Sequence, residues 1–234
     1  MNTIPQPPSI IFEDNHLIAV NKRSGDIVQE DKTGDAPMTT AVKAYIKEKY
    51  AKPGEVFLGV AHRIDRPVSG VVLFARTSKA LERLNNMLRD REVKKTYWAV
   101  VKNKPPQDSG TLIHFLSRNS ETNKAKAFAE EKPGTKRAEL HYKLIGTLDR
   151  YFVLEVNPVT GRHHQIRVQL ASIGCPIRGD IKYGFARTNP DGSIHLHARK
   201  LELMHPVQKT PVSIIADPPN ESLWNEVRKI IVNG

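Results

Sequence analysis

The sequence predicts an α+β fold, from two observations. Predicted strands outnumber predicted helices, and the two kinds of segment do not alternate regularly as they would in a doubly wound α/β protein. The strand segments carry short apolar runs or alternate apolar with polar residues, whereas the helical segments repeat apolar residues every three or four positions. With 234 residues, the chain is long enough for one large domain or two small ones.

The first half of the chain predicts a strand hairpin, two helices and two buried strands. Residues 1–9 are rich in proline and are expected to be irregular. The hairpin comprises SIIFED and HLIAVNK, which meet around Asn15. One helix spans residues 39–50, and the other, SKALERLNNMLRDREV, has a stripe of leucines and a capping residue, Thr77 or Ser78. Between them, FLGVA and VVLFA predict buried strands on either side of a charged turn.

The second half predicts seven strands and two helices. KKTYWAVVK, RAELHYKLI and RYFVLEVNP are strand patterns, and the polar segment 102–136 predicts short strands at 111–116 and 125–130. GRHHQIRVQLASIG predicts a helix that ends at Gly174, because glycine accepts the left-handed conformation that ends many helices. IHLHARKLELMHP and VSIIADPP predict two further strands, and NESLWNEVRKII predicts a final helix capped by Asn220.

The chain is strongly basic. It has 36 lysines and arginines against 25 acidic residues, a net charge of +11, and the basic residues are spread over many short clusters. A surplus of this kind favours a polyanionic partner, most often nucleic acid, bound along a folded face rather than by a tail. A basic protein without such a partner would have the same composition.

Cysteine usage and hydropathy limit the cellular setting. The single cysteine, Cys175, excludes a disulfide within the chain and a four-cysteine zinc site, and we interpret it as a small packing residue. The first residues lack a signal-peptide pattern, and no apolar run approaches membrane-spanning length. We therefore expect a soluble, cytoplasmic protein that does not associate with a membrane.

The charged turn is HRIDRPVSG, residues 62–70, and it is the strongest candidate for chemistry. It places Asp65 between Arg63 and Arg66, at a sheet edge or in a cleft. Nearby positive charge favours the ionised form of a carboxylate, which suits a nucleophile or a base, and arginines suit phosphate groups. A surface turn with a local ion pair would give the same pattern.

The strand KKTYWAVVK offers an aromatic ring. Alternation places Tyr97 and Trp98 on opposite faces, so that one face packs on the core while the other can present a ring to a cleft. A ring there could stack on an unpaired base, and a tyrosine buried in the core is the alternative interpretation.

The segment RHHQIR is a candidate anion site at a helix start. A spacing of four residues places Arg162 with Ile166, and His163 with Arg167. The N–H groups after the preceding glycine could hold phosphate, or Arg167 could meet a carboxylate such as Asp65. A solvated basic helix end is the alternative, although positive charge is unfavourable in a first helical turn and therefore suggests a functional reason.

The histidines raise the question of a metal. His195 and His197 share one strand face, and His163 and His164 lie elsewhere. A zinc site is conceivable, but no companion cysteine or HExxH pattern supports it. We therefore favour packing or phosphate contact for these histidines and expect no metal.

Five segments, taken in order, resemble the RluA family of pseudouridine synthases. That family shows HRLDxxTSG, KxYxAxV, GRTHQIRxH, GxPIxGDxxYG and LHAxxLxFxHP. The corresponding segments here are HRIDRPVSG (62–70), KTYWAVV (95–101), GRHHQIRVQ (161–169), GCPIRGDIKYG (174–184) and LHARKLELMHP (196–206). The match runs from about residue 10 to the end of the chain.

The resemblance implies a mixed, largely antiparallel sheet with flanking helices around a central RNA-binding cleft. It implies a single catalytic domain over residues 1–234, without a separate N-terminal S4-like RNA-binding domain. The implied reaction isomerises a uridine in ribosomal or transfer RNA: uracil is detached from the ribose, turned, and rejoined through carbon. The family needs neither a metal nor an organic cofactor, and we expect a monomer.

The resemblance also assigns roles to residues. It implies that Asp65 is the catalytic aspartate, that Tyr97 stacks on the target base and that Arg167 pairs with the aspartate. Arg63 corresponds to the arginine that enters the RNA stack when the base flips out. We expect further RNA contacts from four residues in the same basic segments: Arg66, Arg162, His164 and Lys95.

The chain departs from the family pattern at three positions, and its mechanism and function have alternatives. Val68 and His163 replace threonines of the motifs, and Gln169 replaces the last histidine, so substrate choice could differ. Whether Asp65 attacks the anomeric carbon or removes a sugar proton is not decided by the sequence. A non-catalytic RNA-binding protein on the same fold and a metal-dependent hydrolase that uses the histidines are the alternative functions.

Overall fold

The structure is a computed structural model that describes residues 7–31 and 34–232. The segment 1–9 is expected to be irregular; residues 7–9 contain no helix or strand, and residues 1–6 lie outside the described part. In chain order the strands are β1 Ile10–Glu13, β2 Leu17–Lys22, β3 Gly59–Val60, β4 Ser69–Ala75, β5 Lys94–Val101, β6 Ser109–Asn119, β7 Lys124–Phe128, β8 Lys136–Thr147, β9 Phe152–Pro158, β10 Leu196–Met204 and β11 Pro211–Ile215. The helices are α1 Met38–Lys49, α2 Ser78–Arg89, α3 Gln165–Ser172 and α4 Ser222–Val232, with a 3₁₀ turn at Ile181–Tyr183.

The chain divides into two compact units. The first comprises the residues up to Val93 together with Ala198–Asp217, and the second comprises Lys94–His197 with the residues from Pro218 onward. Strand β10 therefore begins in the second unit and continues into the first. Within the described ranges, no helix is both long and apolar enough to cross a membrane.

The first unit is built around β4. The strand order is β1-β2-β4-β10, with β3 on β4 and β11 on β10, and the described pairings are antiparallel. All seven residues of β4 are buried, as its continuous apolar run predicts. Helix α2 covers this sheet with Ala80, Leu84 and Met87. Its cap is Thr77, whose hydroxyl oxygen accepts from the Ala80 N–H at 3.2 Å, which confirms one of the two predicted caps.

The second unit is an antiparallel sheet in the order β5-β9-β8-β6-β7. Trp98 packs with Trp224 and Val227 of α4 on one face. On the other face, Val168 of α3 packs against residues of β6, β7 and β8. Strand register places Tyr97 on this second face, the side that α3 covers, so the predicted separation of Tyr97 from Trp98 is confirmed.

The predicted α+β class and largely antiparallel sheet are therefore confirmed, with two local differences. Strand β6 runs over eleven residues instead of 111–116, because pairing with both β7 and β8 extends it through polar positions. Helix α3 begins at Gln165, later than the spacing of RHHQIR predicts, since His164 has left-handed backbone angles (φ 53°, ψ 23°). Arg162 and His163 therefore precede the helix, and the predicted helical pairings of Arg162 with Ile166 and of His163 with Arg167 are wrong. Gly174, with φ 77°, follows the helix end as predicted.

Candidate active site

In the first unit, Asp65 lies on the loop between β3 and β4. Asp65 is partly buried, its two arginine neighbours are exposed, and the apolar side chains of Ile64 and Val68 are buried beneath the loop. The Val68 N–H donates to the Asp65 carbonyl at 3.0 Å and closes a tight turn. The loop thus fixes the backbone of Asp65 while leaving its carboxylate partly accessible.

Two residues that follow β2 form hydrogen bonds to this loop. The Gly25 N–H donates to the Arg66 carbonyl at 2.9 Å, and the Ser24 hydroxyl donates to the Pro67 carbonyl at 3.1 Å. Where the loop begins, His62 Nε2 accepts from the N–H of Leu73 on β4 at 3.0 Å. The loop is tied at both ends to strands of the buried sheet, and its conformation is therefore well determined.

The strongest tether is a buried lysine, Lys22, at the end of β2. Its side chain has no solvent exposure, and its ammonium donates to the carbonyl oxygens of Arg23, Asp26 and Arg66 at 2.8, 2.8 and 3.0 Å. Burial lowers the pKa of Lys22 to about 7, and the nearby carboxylates of Asp26 and Asp65 oppose this shift. Lys22 is therefore a buried amino group close to Asp65, and it loses its positive charge as the pH rises through about 7.

The two arginines of the motif take different positions from the lysine. Arg66 forms an ion pair with Asp35, and both side chains are exposed. Arg63 is exposed as well. Exposed guanidinium groups can bind phosphate groups, and the RNA contacts of both arginines stay predictions.

In the second unit, the candidates gather where β9 leads into α3. Gln165 organises the turn: its side-chain oxygen accepts from the Thr160 hydroxyl at 2.7 Å and from the Arg162 N–H at 2.9 Å. Arg162 is exposed, and its Nε donates to the Arg137 carbonyl at 3.1 Å. A Cβ built on Gly161 would lie 3.8 Å from Lys95 Nζ, which places the Lys95 ammonium beside this turn. Burial lowers the pKa of Lys95.

Arg167 is held by a buried carboxylate. Its Nε and Nη2 donate to the two oxygens of Asp180 at 2.7 and 2.8 Å, and both side chains are almost fully buried. A bidentate pair fixes the plane of the guanidinium as well as its position. The pairing of Arg167 with Asp65, which the family resemblance implies, stays a prediction.

His164, at the N-terminal end of α3, is a neutral group. Burial lowers its pKa to about 2, and the positive charges of Arg167, Lys182 and Arg118, together with His163, act in the same direction. Its ring stacks on His163 with 3.7 Å between ring centroids, and its Nδ1 lies 2.7 Å from the Tyr183 hydroxyl. A neutral imidazole can contact RNA by hydrogen bonds, not by charge.

The structure thus brings the candidates together in two sets. Asp65, Arg63 and Arg66 share one loop of the first unit, while Arg162, His164, Arg167 and Lys95 lie around one helix start of the second, with Tyr97 on the same face of its sheet.

Sequence reasoning missed three residues: Lys22, Asp180 and Tyr183. A charged residue at the end of the apolar strand LIAVNK was a usable signal for Lys22. Asp180 and Tyr183 stand in GCPIRGDIKYG without any local pattern that gives their partners.

Comparison with known proteins agrees with this picture. The family model described as "RNA pseudouridylate synthase" matches residues 16–172, a range that includes Asp65, Tyr97 and Arg167. The chain is 33% identical over 235 residues to ribosomal large subunit pseudouridine synthase D of Xylella fastidiosa, covering 94% of this chain and 69% of that protein. It is 31% identical over 225 residues to tRNA pseudouridine synthase C of Pectobacterium carotovorum, covering 88% of this chain and 58% of that protein.

Solved structures agree on the fold. Human RNA pseudouridylate synthase domain containing 4 superposes with a TM-score of 0.77 at 22% identity, covering 96% of this chain and 93% of that one. The chain spans about two thirds of the length of several of the curated relatives that it matches. The family model covers most of the chain, and identity above 30% extends over nearly all of it. The chain therefore belongs to the RNA pseudouridylate synthase family.

Proposed function

We propose that this protein isomerises a specific uridine to pseudouridine in ribosomal or transfer RNA. The reaction breaks the bond between the ribose and N1 of uracil and forms a new bond from the ribose to C5. One relative is named for the ribosomal large subunit and another for tRNA, and these names support both substrate classes. A net charge of +11 supports an RNA partner.

The observation that carries the proposal is the loop of Asp65. The carboxylate is partly buried, its backbone is held to β2 and β4, and a buried amino group lies nearby. Glycosidic hydrolysis usually needs two carboxylates, whereas a reaction that keeps the base needs one group to stabilise or trap the sugar while the base turns. Asp65 is our candidate for that group.

The other candidate residues would contact the flipped base, the catalytic carboxylate or the rest of the RNA. Tyr97 would stack on the flipped base, Arg63 would fill the gap that the base leaves, and Arg167 would pair with the catalytic carboxylate. Arg66, Arg162, Lys95 and His164 would contact the RNA, His164 as an uncharged hydrogen-bond partner because its pKa is about 2. A single catalytic domain, a monomeric state and a cytoplasmic location remain predictions.

The test is release of tritium from RNA labelled at C5 of uridine, since the new carbon–carbon bond displaces that hydrogen. Ribosomal and transfer RNA from cells that lack this gene are assayed in separate arms. Asp65→Asn keeps the shape and removes the charge, so it should still bind RNA and should lose at least about a thousandfold in rate. Asp90→Asn is the control, because Asp90 is an exposed carboxylate paired with Arg89 at the surface.

Two outcomes would contradict the proposal. If the wild-type protein binds both RNAs and releases no tritium from either, it is a binding protein on a synthase fold. If Asp65→Asn keeps more than roughly a tenth of the wild-type rate, a different residue carries the reaction, because removal of a catalytic group usually costs far more. Adding a chelator to the wild-type reaction tests the metal-dependent alternative in the same assay.

A further inference from the structure

Tyr183, in the 3₁₀ turn, contacts strand β7 and helix α3 of the second unit. Its hydroxyl lies 2.7 Å from the backbone nitrogen of Ala125 on β7 and 2.7 Å from His164 Nδ1 at the start of α3. Its ring lies 5.1 Å from the guanidinium carbon of Arg167. The same ring packs against the apolar cluster that includes Val168 of α3. One side chain therefore touches both polar residues at the start of α3 and the strand beside them.

Of the two hydrogen bonds of the hydroxyl, one has a direction that its partner fixes. A backbone N–H can only donate, so the Tyr183 oxygen accepts from Ala125. Towards His164 Nδ1 the hydroxyl either donates its proton or accepts one, and the tautomer of the imidazole decides which. A nitrogen that accepts carries no proton, and in a neutral imidazole the other nitrogen, Nε2, must then be the donor.

Burial and the charges around His164 favour a neutral imidazole. Arg167 of α3, Lys182 of the 3₁₀ turn and Arg118 of β6 all lower its pKa, as does the neighbouring His163, and burial contributes most. A second positive charge beside the buried guanidinium of Arg167 would be costly in this low-dielectric site. A neutral imidazole adds a hydrogen-bond donor without adding charge.

The backbone of His164 needs such support. Its φ of 53° lies in the left-handed region, where a side chain other than glycine or asparagine is uncommon. Backbone strain of this kind persists only where surrounding contacts hold it, and it is often found at functional sites. The Tyr183 hydroxyl and the stacked ring of His163 are among the contacts of this residue.

We propose that Tyr183 is a positioning residue for the reaction proposed above: its hydroxyl fixes His164 as an uncharged Nε2–H donor, and its ring holds the guanidinium of Arg167. The inference rests on the proposed function. It assigns His164 a role as a donor to the RNA or to the reacting groups. It also joins the geometry of α3 to that of the neighbouring strand β7.

The central variant is Tyr183→Phe, which keeps the ring over Arg167 and removes only the hydroxyl. Its matched control is Tyr142→Phe, because Tyr142 is a tyrosine of the second unit whose hydroxyl also bonds to a backbone group, that of Gln107. Tyr142 is buried and Tyr183 is partly buried. Each variant loses one hydroxyl that bonds to the backbone, so Tyr183→Phe should lose no more thermal stability than Tyr142→Phe. Only Tyr183→Phe should disturb His164.

Two readouts separate positioning from packing. In single-turnover tritium release at saturating RNA, Tyr183→Phe should be about tenfold slower than Tyr142→Phe, with RNA affinity unchanged within about twofold, as expected for loss of one oriented hydrogen bond. In ¹⁵N NMR spectra of the histidine rings, wild-type His164 should give the pattern of a single neutral tautomer protonated at Nε2. In Tyr183→Phe, signals of the tautomer protonated at Nδ1 should appear as well.

The proposal fails if Tyr183→Phe matches Tyr142→Phe in rate, or if the rate falls while the His164 tautomer does not change. A second pair of variants replaces Tyr183→Phe if that variant does not fold. The amide nitrogen of glutamine can occupy the place of Nε2, and that of asparagine the place of Nδ1, so His164→Gln should retain more activity than His164→Asn. Equal activity of the two would overturn the role as Nε2–H donor.

Failure of the proposed function is recognisable separately. If the wild-type protein forms no pseudouridine, the reaction is wrong and the positioning role falls with it. The NMR comparison then still decides whether Tyr183 sets the tautomer of His164, since that measurement needs no activity.

Discussion

We expect the free energy of unfolding of the wild-type protein to rise above pH 7, mainly because of Lys22. The substitution Lys22→Met should remove most of this rise. The wild-type side chain is fully buried, and burial lowers its pKa from 10.5 to about 7. Between these two values, the unfolded chain holds a proton at this site that the folded chain increasingly lacks. The free energy of unfolding therefore rises with pH in this window, because stability increases with pH wherever the unfolded state binds more protons.

The size of the effect follows from the same two values. Integrating the proton difference from pH 7 to pH 9 gives a gain of about 2 kcal/mol from Lys22 alone. The lowered pKa of Lys95 adds a contribution of the same sign. Burial raises the pKa of Cys175 above 9.0 and that of Tyr142 above 10.0, and these groups lower stability at higher pH. The measurement should therefore stop near pH 9.

The assay is urea unfolding of three proteins at pH 7, 8 and 9. Lys43→Met is the control, because Lys43 is an exposed lysine on α1 of the same unit. The control should keep the wild-type rise in stability, and Lys22→Met should show a rise smaller by about 2 kcal/mol. If wild type and Lys22→Met gain stability equally between pH 7 and 9, the ammonium stays charged throughout and the three carbonyl oxygens outweigh burial.

Three further tests, with five substitutions in all, concern other parts of the molecule. Gly70→Ala would place a Cβ 2.3 Å from a backbone oxygen of β10 at φ 116°, and should cost about 2–5 kcal/mol in urea unfolding. Gly25→Ala, also at positive φ but with open space around it, should cost only about 1–2 kcal/mol, and equal losses would disprove the close approach. Asp180→Asn should destabilise the fold by about 3–5 kcal/mol, because it leaves the buried guanidinium of Arg167 without a carboxylate, and a loss below about 1 kcal/mol would contradict this. Tyr97→Phe should keep most of the single-turnover rate, whereas Tyr97→Ala should lose the ~1–3 kcal/mol of one base stack; equal damage would assign the chemistry to the hydroxyl.

Local sequence patterns predicted most elements because each element buries one simple stripe. The apolar run of β4, the leucine stripe of α2 and the alternation around Tyr97 each depend on neighbouring residues only. The motif around Asp65 was predictable for the same reason, since its loop is bounded by two apolar strands. The left-handed conformation of His164 was not predictable from its neighbours, and the hydroxyl that its ring contacts lies nineteen positions away.

The partners of the candidate residues were the part that the sequence did not reveal. The arginines beside Asp65 are adjacent in sequence, yet the buried amino group near it is that of Lys22, which arrives from β2. Arg167 takes its bidentate partner, Asp180, from a loop thirteen residues later. Such pairs arise from the packing of segments that no periodicity connects, so residue type and spacing predict the groups but not their contacts.

The division of strands between the two units has a consequence during synthesis on the ribosome. Strand β4 lies between β2 and β10 in the sheet, but β10 is made about 120 residues after β4 ends. At translation rates of about 5–20 residues per second, much of one edge of this apolar strand stays unpaired for roughly 6–25 s. An unpaired apolar edge is a template for wrong pairing with other chains. We therefore expect nascent chains that stall between residues 94 and 197 to depend on chaperones, and full-length chains to lose this dependence once β10 has joined the sheet.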